Sequence, residues 1–120
     1  MNRPAMSEPG LHIQCLRLRG PLDLDEVTKI ESLLDEYLAA GFVHVLLNLG
    51  RCTRVGMDGL PILAARAKRL KEYGGGLKLS EVPAHIRHVF SLAGYRSTFE
   101  FLDSDDEAME SFAGRHKKNT

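Results

Sequence analysis

The chain has 120 residues, of which 43% are hydrophobic and 27% charged, the length of one domain and the make-up of an ordinary folded protein. Lys+Arg and Asp+Glu both number 16, so the formal charge is zero, which argues against a general nucleic-acid binder and against polybasic membrane attachment. No apolar run approaches the ~18 residues that cross a bilayer, and two cysteines are too few for a disulfide framework, so Cys15 and Cys52 are expected as free thiols in a reducing cytoplasm.

Residues 1–10 hold Pro4, Pro9 and Gly10, have no periodicity and lack a secretory apolar core, and are expected to form a flexible tail. From Ile13 to Arg19 apolar and polar residues alternate, the period of a strand with one buried face, and Gly20-Pro21 is expected to stop it. A helix follows. Asp23 and Glu26 have capping-box spacing, Val27, Ile30, Leu33, Leu34, Tyr37 and Leu38 form one stripe, and Gly41 closes it. The apolar run Phe42-Val43-His44-Val45-Leu46-Leu47-Asn48-Leu49 reads as a central strand covered on both faces. Residues 50–57 are then expected as a loop.

A second helix is expected to start near Asp58, with Leu60, Leu63, Ala64, Ala67 and Leu70 on its apolar face and Gly74-Gly75-Gly76 as its stop. That glycine run follows a helix and precedes a strand, the reverse of a phosphate loop. Leu77-Lys78-Leu79 is a short strand. Pro83 opens a third helix striped by Ile86, Val89, Phe90 and Ala93 and closed by Gly94. Phe99-Glu100-Phe101-Leu102 is a last strand. Ser104-Asp105-Asp106-Glu107 opens a final helix through Phe112, and residues 114–120 form a second flexible tail. Strands and helices alternate four times, which implies an α/β fold with a mostly parallel sheet and right-handed crossovers over residues 11–113.

In this order the segments Leu16-Arg17-Leu18-Arg19-Gly20-Pro21-Leu22-Asp23, Val45-Leu46-Leu47-Asn48-Leu49, Gly56-Met57-Asp58-Gly59-Leu60, Leu92-Ala93-Gly94-Tyr95 and Phe101-Leu102-Asp103-Ser104 resemble the STAS domain of sulphate transporters and bacterial anti-sigma factor antagonists. The resemblance implies a single STAS-like domain, with a small mixed, mostly parallel sheet and about four helices, mostly on one side. It also implies an edge strand before the first alternating one, for which only the Pro-rich tail is available, so that strand is expected to be shortened or missing. For function it implies a non-enzymatic, cytoplasmic protein-binding module. In such antagonists an anti-sigma factor serine kinase phosphorylates the Ser or Thr before the Gly of an Asp-Ser-Ser-Gly-Leu turn, and phosphorylation releases the partner. Here Gly56 stands at the Asp, Met57 at the first Ser and Asp58 at the phosphoacceptor. The alternative that the resemblance implies is a subunit binding the ATPase of an ABC-type lipid transport system. A homodimer is left open.

Asp58 therefore has two readings. One is an N-cap of the second helix, a position where Asp is among the best residues. The other is a fixed negative charge imitating a phosphoserine, which both carry acceptor oxygens and favour a helix N-terminus. Asp23, which the resemblance places near the same turn, reads first as the cap of its own helix. Both carboxylates have capping roles, which removes them as an acid/base pair. Gly56, Met57, Asp58, Gly59, Leu60 and Asp23 are thus the candidate partner-binding residues, with Met57 as an adaptable apolar contact. Thr53 is the alternative phosphoacceptor, whereas Ser104 reads as a cap. His85 and His88 share a helix face but lack the four ligands of a zinc site, His12 and His44 fall in strands, and no paired histidine activates Cys52. Neither a metal, a cofactor nor a catalytic set is indicated.

Overall fold

The computed structural model describes residues 6–8 and 11–114. The elements are β1 (Met6–Glu8), β2 (Leu11–Leu22), α1 (Leu24–Ala39), β3 (His44–Val55), a 3-10 turn (Met57–Gly59), α2 (Leu60–Glu72), β4 (Gly76–Ser80), α3 (Ala84–Leu92), β5 (Glu100–Leu102) and α4 (Asp105–Phe112). The sheet order follows the chain, β1-β2-β3-β4-β5. β1 is antiparallel to β2 and every later pair is parallel. The parallel crossovers all step the same way across the sheet. Right-handedness then puts their helices on one face. Accordingly α1, α2 and α3 bury Val27, Ile30, Leu34, Leu60, Leu63, Leu70, Ile86 and Phe90 in one cluster against Leu16, Val45, Leu47 and Leu79. α4 comes after the last strand and covers the other face, packing Ala108 and Met109 on Ile13, Cys15, Leu46 and Leu102. The sheet is mixed and mostly parallel and the helices lie mostly on one side, as the alternation and the resemblance imply.

Three boundaries differ from the sequence reading. Met6–Glu8, assigned to the N-terminal tail, forms the short edge strand β1, paired Met6 to Ile13, Ser7 to His12 and Glu8 to Leu11. This is the edge strand that the resemblance implies, in its shortened form, and three residues are too few to show a period. Gly20-Pro21 does not stop β2. Gly20 takes a φ of +74°, and the β2–β3 register shifts between Arg17 and Arg19 and again between Gly20 and Pro21. These bulges carry the strand past the proline to Leu22. Residues 50–55 are consequently not a loop but the second half of β3, paired with the extended β2. Their buried residues, Cys52 and Val55, are three apart because of the irregular register, so the alternation of a strand is absent. The rest of the C-terminal tail beyond Gly114 lies outside the described residues.

One row crosses the sheet under α4. Arg17, Asn48 and Ser80 are neighbours on β2, β3 and β4, and Asp105, in the first turn of α4, sits over them. Arg17 Nη2 donates to Asp105 Oδ2 at 2.7 Å, and Asn48 Nδ2 and Ser80 Oγ donate to Oδ1 at 3.0 and 2.6 Å. Asn48 Oδ1 accepts from the Gly50 N–H at 2.8 Å. A buried carboxylate is tolerable only when its lone pairs are used in this way.

Candidate functional site

The turn singled out by sequence connects β3 to α2 at the C-terminal end of the parallel strands. It is tied to the start of α1 by its first residue, since the Gly56 N–H donates to the Leu22 carbonyl at 3.0 Å. Asp23 lies immediately beyond. Its Oδ1 accepts from the Glu26 N–H at 3.0 Å and its backbone is extended, so Asp23 is the N-cap of α1.

Asp58 is not a cap, contrary to one of its two readings. The 3-10 turn intervenes, and Gly59 occupies the N-cap position of α2 with no side-chain hydrogen bond. The reason lies in the donors. An N-cap carboxylate accepts from the second or third N–H of its helix. Counted from Asp58 these belong to Leu60 and Pro61. The Leu60 N–H donates to the Met57 carbonyl and closes the 3-10 turn. Pro61 has no N–H. Both donors are therefore gone, and the Asp58 carboxylate is exposed with no hydrogen bond or ion pair among the described residues.

Gly56 makes room for that carboxylate. A Cβ at position 56 would stand 3.1 Å from Asp58 Oδ1 and 3.7 Å from the Asp23 Cα. The side chain of Asp58 thus folds back over Gly56 toward the start of α1. Glycine at 56 and aspartate at 58 are sterically coupled, and a second carboxylate at 56 would crowd the first. Gly59 is required for a different reason: a Cβ there would stand 2.8 Å from Val27 Cγ2, so α2 starts in close contact with α1.

The six candidates therefore divide. Met57, 52% exposed, and Asp58 face solvent; Gly56 and Asp23 are half-buried. Gly59 and Leu60 are buried, Leu60 completely, so Leu60 is the first core residue of α2, as its place on the apolar face of that helix predicts, and it offers no surface to a partner. Leu24, directly after Asp23, is 43% exposed and was not singled out by sequence. Its signal was an apolar residue at the first position of a helix, off the buried stripe. The corner where the turn meets α1 thus offers two exposed apolar chains beside an unpaired carboxylate.

The other candidates lie elsewhere. Thr53 is on β3 rather than in a loop; the residue is exposed and its carbonyl oxygen lies 2.8 Å from His85 Nε2 on α3. Ser104 is the N-cap of α4, accepting from the Glu107 N–H at 3.1 Å. Cys15 and Cys52 are free and buried. Burial, and then Glu26, push the Cys52 thiol up to about 11, so it is protonated at neutral pH and no nucleophile. His44 is lowered by burial and then by Lys78, and its ring meets Phe112 edge-on at 5.5 Å. No helix among the described residues is long and apolar enough to cross a membrane.

A family model described as "Mlab, STAS domain" matches residues 10–100. BtrV of Bordetella bronchiseptica, named as an anti-sigma factor antagonist, is 31% identical over 103 residues, covering 86% of this chain and 87% of its own. In fold, the chain is similar to a Thermotoga maritima protein named as an anti-sigma factor antagonist, with a TM-score of 0.78 and 20% identity over 92% of this chain and 93% of that one. It is also similar to the unphosphorylated anti-sigma factor antagonist SpoIIAA, with a TM-score of 0.75 and 19% identity over 99% of this chain and 100% of that one.

Proposed function

The chain belongs to the STAS domain family, and from that premise we propose that it is a partner-switching regulator whose switch residue has been replaced by a permanent charge. At the coarser level it is a non-enzymatic, protein-binding regulatory module resembling the anti-sigma factor antagonists. The finer reading is that the corner made by Gly56, Met57, Asp58 and Asp23, with Leu24, meets an anti-sigma factor serine kinase or a related regulator. Asp58 takes the place of the phosphorylatable serine, so switching at that position is lost and the phosphorylated state is imitated.

The observation that carries this reading is the unengaged carboxylate of Asp58. A capping aspartate would have its oxygens committed to the helix. This one is exposed, unpaired among the described residues, and flanked by the exposed Met57. Its charge is free to act on a partner, with about half the charge of a phosphate and two acceptor oxygens in place of three.

The test is retention and phosphorylation of the wild type, Asp58→Ser and Asp58→Ala by proteins of the native host. The expected outcome is a serine kinase held by Asp58→Ser and not by the wild type, with phosphate from ATP mapped to position 58 of that variant alone. Phosphate on Thr53 or Ser104 of the wild type would overturn the lost-switch reading. An ABC-type ATPase held equally by all three would identify a constitutive transport subunit instead.

A further inference from the structure

α4 covers only the first part of its side of the sheet. It packs on Ile13, Cys15, Leu46 and Leu102, and its first turn lies over the Arg17–Asn48–Ser80 row. β4 stops at Ser80, whereas β2 and β3 run on to Leu22 and Val55. Beyond the row these two strands form a ledge that no helix among the described residues covers on this side.

The ledge is cationic, and the two register shifts make it so. Leu49, Cys52 and Val55 face α1, α2 and α3. Strict alternation from Leu49 would turn Arg51 to that same side, and alternation from Cys52 would turn Arg54 there. Instead β3 carries one extra residue at each shift, and Arg51 and Arg54 are both exposed, away from that core. Arg19 alternates with Leu18, which packs on the core, and is the register partner of Arg51. Like charges side by side on a sheet repel. Arg19, Arg51 and Arg54 have no ion pair among the described residues, whereas Arg17 is held by Asp105. Glu81 brings a carboxylate to the rim, since a Cβ on Gly50 would stand 2.8 Å from its Oε1. One such charge does not balance three. Residues 1–5, 9–10 and 115–120, outside the described set, contain no aspartate or glutamate, so their sequence offers the ledge no carboxylate side chain.

α4 carries the opposite sign. Asp105, Ala108 and Met109 are buried against the sheet. Asp106, Glu107 and Glu110 fall on the outward side, where Asp106 and Glu110 are exposed. None of these three forms an ion pair among the described residues, and the helix holds no basic residue from Asp105 to Phe112. The formal charge of zero is thus the sum of two separated fields on one side of the sheet.

Shape follows charge. A helix with its side chains is about 10 Å thick, so α4 stands above the ledge as a step. A second copy, turned about a two-fold axis that runs across the strands, lays its α4 on this ledge and receives this α4 on its own. Such a contact is isologous, and each half of it sets arginines against an acidic helix face. We propose that this side of the sheet is a self-complementary interface, where a second copy of the chain docks its α4 against Arg19, Arg51 and Arg54. An unrelated acidic partner would meet the arginines and leave α4 unmatched; a second copy matches both. The attraction is between exposed charges, so it is strongest at low salt. This inference does not rest on the Asp58 reading.

The experiment is sedimentation equilibrium of the full chain over a range of protein concentrations, at about 20 and about 300 mM salt. The expected result is a monomer–dimer equilibrium that weakens at least about tenfold between the two. Two double variants then reverse one surface each, Arg51→Glu with Arg54→Glu, and Asp106→Arg with Glu110→Arg. All four side chains are exposed. Each variant alone is expected to stay monomeric, because its ledge and its helix now share a sign. Mixed in equal amounts the two are expected to associate again, since the acidic ledge of one meets the basic helix of the other and the two unaltered surfaces also match. Arg54→Gln, which removes a charge without adding one, is expected to weaken the dimer about threefold or more and serves where a reversal disturbs folding. A wild type that is monomeric at about 1 mM in low salt, a dimer that neither reversal affects, or a mixture that does not reassociate would each overturn the proposal. So would a monomeric wild type in which a polyglutamate peptide shifts the amides of Arg51 and Arg54, which would give the ledge to an acidic partner.

Discussion

The starts of α2 and α4 look alike in sequence and behave differently. Each places an aspartate at the opening of a helix. At α4, Ser104 takes the capping role, and Asp105, only 9% exposed, accepts three side-chain hydrogen bonds from three neighbouring strands. At α2, the 3-10 turn consumes one donor and Pro61 removes the next, so Asp58 is left facing outward with no partner among the described residues. The start of α1 stands between them, with Asp23 half-buried and making one capping bond. An acid at a helix start thus serves its own fold in proportion to the donors aimed at it. Where the donors are absent, its charge faces whatever approaches.

The strongest way to break this comparison is at Asp105. Truncating Asp105→Ala leaves the Asn48 amide and the Ser80 hydroxyl without their acceptor under α4 and frees Arg17. Unsatisfied buried donors cost about 1–3 kcal/mol each, with partial relief from water entry, so a loss of about 3 kcal/mol is expected in urea unfolding. A loss below about 1 kcal/mol would mean that the row is solvated in solution and that α4 is held by Ala108 and Met109 alone.

How far the sequence carried depended on how local each signal was. The helix stripes, the glycine stops and the caps at Asp23 and Ser104 depend on residues three or four apart, and they were legible. The long β2–β3 pair was not, because its register shifts put Cys52 and Val55 out of alternation and carried the chain through Gly20-Pro21. The Arg17–Asn48–Ser80–Asp105 row was invisible for a plainer reason: its members join only when three strands are side by side and a helix lies across them. At the candidate site the identity of the turn was legible, but the sequence left two readings of Asp58 open, and of these the cap is the one whose hydrogen bond is missing. The information was present in Pro61, three residues on, which deprives a cap at 58 of one of its two donors.

Asp23 sharpens the comparison from its middle. Asp23→Ala removes one hydrogen bond to the first turn of α1 and is expected to cost about 1 kcal/mol, with Asp23→Asn recovering most of it because the amide oxygen also caps. Chemical denaturation of the three proteins reads this directly. If Asn fails to recover the loss, Asp23 acts by charge near the Asp58 carboxylate and the α1 dipole, not by the bond to Glu26.

The smallest stability effect is expected at Asp58, and its smallness is the point. With no bond to lose, Asp58→Ala and Asp58→Ser should unfold within about 0.5 kcal/mol of the wild type. A cost of about 1 kcal/mol in Asp58→Ala that Asp58→Asn recovers would mean that the carboxylate finds a capping donor in solution, and the contrast with Asp23 would collapse. A cost that Asn does not recover, and that fades in high salt, would assign it to the charge acting on the N-terminal end of α2. Gly56 supplies the internal control. Gly56→Ala brings a methyl group to 3.1 Å from Asp58 Oδ1 and must move the carboxylate. If position 58 contacts a partner, that displacement should weaken partner retention in the wild-type background and have less effect once Asp58 is already alanine. Equal effects in both backgrounds would show that residue 56 acts on the turn itself, and that the carboxylate is a bystander.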